Sequence, residues 1–553
     1  MGVAGRRWVQ AGVVAAGVGA AMMTGTAVAS ATPDEDTGPA ATSAERSPSA
    51  ATPRARASRA ATNPRRGSAA SATAAAKPAA ARSIPVPRSA SSARRSVTVS
   101  APSTPAPAPQ VSAPVRADAT AASVSTDPGP IRAAVLAAQA YIYGYPLLEY
   151  ERVRATATSL NTITSLTSFA NPDVDPIWKA IGGGKRPNVD TFYSVAELEL
   201  SGGPVVLTIP DMGTRYFSFQ LTDPYTNVTG YIGSRTTGSG PGSYAITWAD
   251  GPSVDVPGAQ VIEVPYASML MLGRTLAGDE ADQQSAIALM RQYALDPTGP
   301  TADEPAILPA SNSGVDILNA ISDAITKNPP PAQDAPILGQ ISAIGVGTGL
   351  QVADANLGLL STLAVDLAVR ATAALLPALA GFTQYMTAIQ NAGWATPNMA
   401  IGDYGTDYVL RAGVAEIGLV ANTPQEAMYS AGLLSGYLIP LSGIGSHVLH
   451  FAPGEAPPAE AFWSVTVYDA DGNLVKNPEN RYSVSNSRPD LVTRPDGSID
   501  IIFSRTDPGD PTANWLPVPL GGFSAYLRMY VPEQAALDGA WVPPGIIRRS
   551  WFA

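Results

Sequence analysis

The residues best equipped for chemistry cluster between positions 188 and 235. Asn188, Asp190, Tyr193, Tyr216, Gln220, Asp223, Tyr225, Asn227 and Arg235 fall on or beside short runs of alternating apolar and polar residues. Carboxylates and amides hydrogen-bond hydroxyls, and tyrosine rings stack on sugar faces. The set therefore predicts a cleft that binds a polar small molecule or a glycan. Asp190 paired with Asp211 or Asp223 would instead serve glycoside chemistry. The same residue types also cap turns, and Asp211 sits in a Pro-Asp-Met-Gly turn. The two histidines are His447 and His450. On a strand their spacing puts them on opposite faces. His450 is expected on a strand, as a candidate general base or, with Asp or Glu, a metal ligand. His447 is expected in an exposed loop. The candidates for catalysis are Asp190, Asp223 and His450. A second polar-aromatic set (Arg481, Tyr482, Asn514, Trp515, Arg528, Tyr530) reads as arginine–aromatic packing or as the lining of an interdomain cleft.

Known devices are missing. Gly522-Phe523-Ser524-Ala525-Tyr526 fails the last position of a nucleophile elbow. Gly182-Gly183-Gly184-Lys185 lacks the rest of a phosphate loop, and Gly345-Val346-Gly347-Thr348-Gly349 is not a dinucleotide fingerprint. There is no cysteine and no helical His-Glu-x-x-His, so the sequence names no metal set and no cofactor.

The elements that must position these residues are legible from periodicity. Pro130 opens a helical pattern that Pro146 is expected to break or kink. Strands are expected at 192–200, 204–210 and 215–221. In the last, Phe217, Phe219 and Leu221 face one side, and Tyr216, Ser218 and Gln220 the other. Residues 282–437 are expected to be mostly helical, with an amphipathic helix at 281–295 and a nearly uncharged one at 352–376. The latter reads as a buried helix or packed hairpin rather than a membrane span. Strands return from Val448, with turns at Asp469-Ala470-Asp471-Gly472 and Arg494-Pro495-Asp496-Gly497.

The chain has 553 residues and a net charge of -10, unevenly spread. Arg6 and Arg7 precede an uncharged stretch and small residues suited to cleavage, so residues 1–31 read as an export signal. Residues 32–129 are rich in Ala, Ser, Pro and Arg and read as a disordered linker. From Thr37 to Arg116 there are twelve Lys and Arg against one acid, leaving about -20 for the rest of the chain. An acidic body excludes nucleic acid as a partner. The basic tether suits an anionic envelope polymer or lipid. A homo-oligomer is compatible with this composition.

Several segments carry a resemblance. Arg186-Pro187-Asn188-Val189-Asp190-Thr191-Phe192-Tyr193, Val206-Leu207-Thr208-Ile209-Pro210-Asp211, Asp223-Pro224-Tyr225-Thr226-Asn227 and Ile232-Gly233-Ser234-Arg235 resemble the family called domain of unknown function 1254. Phe462-Trp463-Ser464-Val465-Thr466-Val467-Tyr468-Asp469, Asn480-Arg481-Tyr482-Ser483, Asn514-Trp515-Leu516-Pro517 and Arg528-Met529-Tyr530 resemble its usual companion, domain of unknown function 1214. The resemblance implies β-sandwich or jelly-roll domains flanking helices, and no reaction. The expected fold is α+β: after the linker, a β domain with a leading helix at 130–280, a helical region at 281–440 and a second β domain at 441–553. Three functions stay open: an exported, secreted or envelope-associated binding protein, a hydrolase using aspartates or His450 with or without a metal, and a structural envelope protein.

Overall fold

The computed structural model describes residues 127–173, 186–386, 389–390 and 392–550. The expected signal, most of the linker and Trp551 lie outside these residues. The fold is α+β, with β-rich domains on either side of a helical region.

The first β domain packs two sheets face to face. One contains β1 (Thr164–Leu166), β2 (Thr191–Glu199), β4 (Phe217–Thr222), β5 (Val228–Gly233) and β8 (Ser268–Leu276), in the order β1-β2-β8-β4-β5. The other contains β3 (Val205–Ile209), β6 (Gly242–Trp248), β7 (Gln260–Val264) and β9 (Ala294–Pro297), in the order β7-β6-β3-β9. Phe217, Phe219 and Leu221 point into the shared core with Leu207, Ile209 and Ile246, as the alternation in 215–221 predicts. β9 falls where the periodicity predicted the end of a helix. That helix, α2 (Glu280–Met290), stops sooner, and Ala294–Pro297 joins the edge of the sheet.

The second domain repeats this plan strand for strand. β11 (Trp394–Ala395), β12 (Ala427–Gly432), β14 (Ala459–Asp469), β15 (Ser483–Ser485) and β18 (Phe523–Pro532) form a sheet in the order β11-β12-β18-β14-β15, with β10 (Ile389–Gln390) added at one edge. β13 (Ser446–Phe451), β16 (Ile499–Ser504), β17 (Asn514–Pro517) and β19 (Ile547–Ser550) form the other, in the order β17-β16-β13-β19. Adding ten to each strand number of the first domain reproduces the second. The one parallel pair agrees too: β6 with β7, and β16 with β17. The second core lies between these sheets and includes Leu449, Phe451, Trp463, Val465, Phe503 and Leu527.

The helical region is built on α1 (Pro130–Arg154), α3 (Gly314–Lys327), α4 (Ala335–Ile341), α5 (Leu359–Met386) and α6 (Tyr408–Gly418). Proline at the first helical position starts α1, and Arg152 and Arg154 sit in its last turn, where the helix dipole favours cations. The helix runs through Pro146, which is buried, instead of ending there. Gly144 lets α1 approach α3: a Cβ there would stand 2.3 Å from Ile321 Cγ2. α5 packs one face into the core through Val365, Val369 and Leu376. Its other face exposes Leu359, Leu360, Leu363 and Leu367, so it is a half-covered helix rather than a buried one. A seventh helix, α7 (Gln534–Leu537), is a single turn after β18.

Candidate functional site

The polar face of β4 does not meet water. It is covered by the outer face of the β11-β12-β18-β14-β15 sheet, so the two domains face each other through polar sides. Both faces are organised around the same row of three residues. In the first domain Arg274 of β8 lies directly between Tyr193 of β2 and Ser218 of β4. In the second, Arg528 of β18 lies directly between Tyr429 of β12 and Ser464 of β14. The positions correspond under the ten-strand shift, and the two Tyr–Arg–Ser rows oppose each other across the interface.

The contacts that join the halves are reciprocal. Arg274 Nη2 donates to the Val420 carbonyl of the second half at 2.7 Å, and Arg528 Nη2 donates to the Arg186 carbonyl of the first at 2.9 Å. Asp190 stands three residues before Tyr193, and Glu426 three before Tyr429. Glu426 pairs with Arg235, just after β5, at 2.7 Å, and Asp190 lies 3.7 Å from Arg488, just after β15. Each carboxylate thus meets an arginine from the other domain. Asp190 also accepts from Ser464 at 2.5 Å and from Ser483 at 3.3 Å, and Glu426 accepts from Tyr216 at 2.7 Å.

Six side chains converge on the interior of this layer. Asn422 Nδ2 donates to the Tyr429 hydroxyl at 2.6 Å, and Asn188 Nδ2 to the Tyr530 hydroxyl at 2.5 Å. Arg274 Nη1 is shared between Gln220 Oε1 and Asn422 Oδ1, both at 2.8 Å. Burial raises the Tyr429 and Tyr530 phenols above their ordinary range, and both arginines oppose that rise. Tyr429, Val195, Val420 and Leu433 remain half-buried although they lie between two sheets.

The candidate residues divide between this layer and other places. Asn188, Asp190, Tyr193, Tyr216, Gln220 and Arg235 lie in it. Asp223, Tyr225 and Asn227 instead fasten the β4–β5 turn to the helical region. Asp223 accepts from Asn227 N at 2.8 Å and from its Nδ2 at 3.0 Å, and burial pushes its carboxyl up to about 6. The Tyr225 hydroxyl donates to the Asn328 carbonyl at 2.8 Å. Asp211 accepts from Gly213 N in an exposed turn. Of the second polar-aromatic set, Arg528 and Tyr530 belong to the layer. Arg481 pairs with Asp490 at 3.0 Å, and the Trp515 indole donates to the Ser504 carbonyl.

Both histidines lie on β13, away from the layer. His450 is half-exposed, with Nδ1 2.5 Å from Asp500, whose other oxygen meets Arg494 at 2.6 Å. His447 is not an exposed loop residue. It is wholly buried against Phe523, neither ring nitrogen has a hydrogen-bond partner among the described residues, and burial pushes its pKa down to about 4. The reason is that β13 begins at Ser446, which turns position 447 into the core. No group of three or more His, Asp or Glu able to hold a metal occurs among the described residues.

Reading the sequence alone misses Arg274, Asn422, Glu426 and Tyr429. The available signal was a lone cation inside a largely apolar run, Arg274 in Ser268–Leu276 and likewise Arg528 in Phe523–Pro532. The far end of the first polar face holds a second buried cluster. Arg154 meets Glu199 at 3.0 Å, while Glu197 is buried beside Tyr150 with no ion pair among the described residues. Burial pushes the Glu197 carboxyl up to about 8, against the pull of Arg154.

Two sandwiches of one topology, closed on a shared buried layer, define a duplicated two-domain β protein. The family described as protein of unknown function DUF1254 matches residues 168–297, and protein of unknown function DUF1214 matches residues 426–534. The chain thus carries a DUF1254 domain and a DUF1214 domain in tandem, and each match falls on one copy of the repeated plan. No curated protein matches the chain. Among solved structures, the VPA0106 protein from Vibrio parahaemolyticus aligns with TM-score 0.57 at 23% identity, over 76% of this chain and all of its own, and so shares the fold. An uncharacterized protein from Burkholderia cenocepacia aligns at TM-score 0.37 and 14% identity, over 74% of this chain and 86% of its own.

Proposed function

We propose that this chain binds a polar small molecule in the layer between its two β domains. The observation that carries this reading is the pair of opposed Tyr–Arg–Ser rows. Polar side chains from both domains converge where simple domain packing would favour apolar ones, and Tyr429 stays half-buried among them. Binding is favoured over hydrolysis because the candidate acids are already engaged. Asp190 is held by two serines, Asp223 by its own turn, and His450 lies on a strand of the sheet remote from the layer. Thermal unfolding of the chain against sugars, wall fragments and organic acids tests the reading, since a ligand of the folded state raises the melting temperature by mass action. A saturable rise that Tyr429→Phe diminishes supports it; no rise from any class refutes it. We further infer export directed by residues 1–31, with the basic tether contacting anionic envelope polymer or lipid. Mass spectrometry of the protein recovered from the medium or envelope checks this: an uncleaved chain retained in the cytoplasm would count against it.

A further inference from the structure

We infer that the ligand of this layer is an organic carboxylate, bound on the approximate two-fold axis between Arg274 and Arg528. This rests on the binding reading and specifies its chemistry. The layer contains Arg235, Arg274, Arg488 and Arg528 but only two carboxylates, Asp190 and Glu426. These two are turned toward Arg488 and Arg235. Arg274 and Arg528 are each 4% exposed and form no ion pair among the described residues. Every acceptor they have is neutral: Gln220, Asn422 and the Val420 carbonyl for Arg274, and Thr466, Tyr468 and the Arg186 carbonyl for Arg528. Arg274 Nε has no hydrogen-bond partner among the described residues, although the guanidinium lies over the Tyr193 ring. Asp190 is the only carboxylate whose charge acts on Arg528, and it is shared with Arg488, so the layer holds more buried positive charge than its two carboxylates offset, a costly surplus that is local in a body acidic overall.

The open valences point the same way. Tyr429 and Tyr530 each receive a hydrogen bond from an asparagine, which leaves their own protons available to donate. With Arg274 Nε, that makes three donors, a number that fits the two oxygens of one carboxylate. Burial holds both phenols above their ordinary titration range, so they remain donors at neutral pH. The half-buried Val195, Val420 and Leu433 pack against the cluster that holds Tyr193, and suit an apolar body attached to the acid.

The test is calorimetric titration of the full chain with benzoate and hexanoate, with their uncharged amides, with inorganic phosphate and with neutral sugars. A carboxylate is expected to bind saturably and its amide not to. Affinity should hold from pH 6 to 9, because arginine stays charged throughout. Arg274→Gln should weaken binding roughly 10- to 100-fold, as loss of a charge-assisted contact does. Tyr429→Phe, which keeps the ring and removes one donor, should weaken it about 5- to 10-fold. This second variant reports even where loss of the arginine upsets folding. Phosphate binding without carboxylate binding overturns the assignment of class. Sugar binding that survives Arg274→Gln overturns the anion site while leaving an interdomain ligand in place. No binding by any member removes both.

Discussion

Replacing Glu197 by glutamine should stabilise this protein, and the gain should depend on pH in a defined way. The carboxyl is wholly buried on β2, and burial moves it from 4.5 to about 8 against the pull of Arg154 and of the Tyr150 hydroxyl. In the unfolded chain it ionises near its ordinary value. Between those two values the folded state keeps a proton that the unfolded state has released, so raising the pH favours unfolding. Each pH unit in that window is worth about 1.4 kcal/mol. The accumulated cost reaches roughly 3 kcal/mol at pH 7 and 4–5 kcal/mol above pH 8. Glutamine has nearly the same shape and no proton to lose. Denaturant midpoints of the wild type and Glu197→Gln, compared from pH 4.5 to 8.5, should nearly coincide at the acid end and diverge steadily above it. Every other titrating group cancels in that comparison. Parallel curves with a constant offset would refute the claim that Glu197 is held neutral, and a variant that lost stability with rising pH faster than wild type would reverse its sign.

His447 makes the opposite prediction. Its folded pKa of about 4 lies below the ordinary 6.5, so its contribution is full above pH 6.5 and fades as the pH falls through that window. The wild type should lose about 2 kcal/mol between pH 7 and 5 from this group alone, and His447→Leu should flatten that slope in denaturation curves. Gly144→Ala should cost about 1–3 kcal/mol in thermal unfolding, because its Cβ meets Ile321, and a smaller residue at 321 should restore part of the loss. Asp190→Ala should cost about 2–3 kcal/mol by stranding Ser464 and Ser483, whereas Asp211→Ala, in an exposed turn, should fall within about 0.5 kcal/mol.

The sandwich character of both domains was legible because one face of each strand is core. Phe217, Phe219 and Leu221 had to point one way, and Glu460 to Asp469 alternates for the same reason. What covers the polar faces was not legible, because alternation separates two sides without saying what lies beyond either. The duplication was hidden as well. It rests on hydrogen-bond order, and the identities that mark it, Tyr193 with Tyr429, Arg274 with Arg528 and Ser218 with Ser464, are single residues at unequal separations along the chain. The histidines failed differently: a boundary that begins β13 at Ser446 decides which ring faces the core. The leucines of α5 show the limit of composition, since an apolar helix of that length can be covered on one side alone.

The two copies have diverged where they face each other. Tyr216, just before β4, has Phe462 as its counterpart on β14, Gln220 has Thr466, and Leu276 of β8 has Tyr530. A pair of identical subunits around such an axis would accept a guest in either of two equivalent orientations. Joining the copies in one chain and letting them differ removes that equivalence. The layer gains a head and a tail, so a molecule with two unlike ends bound there would be distinguished from its own reversal.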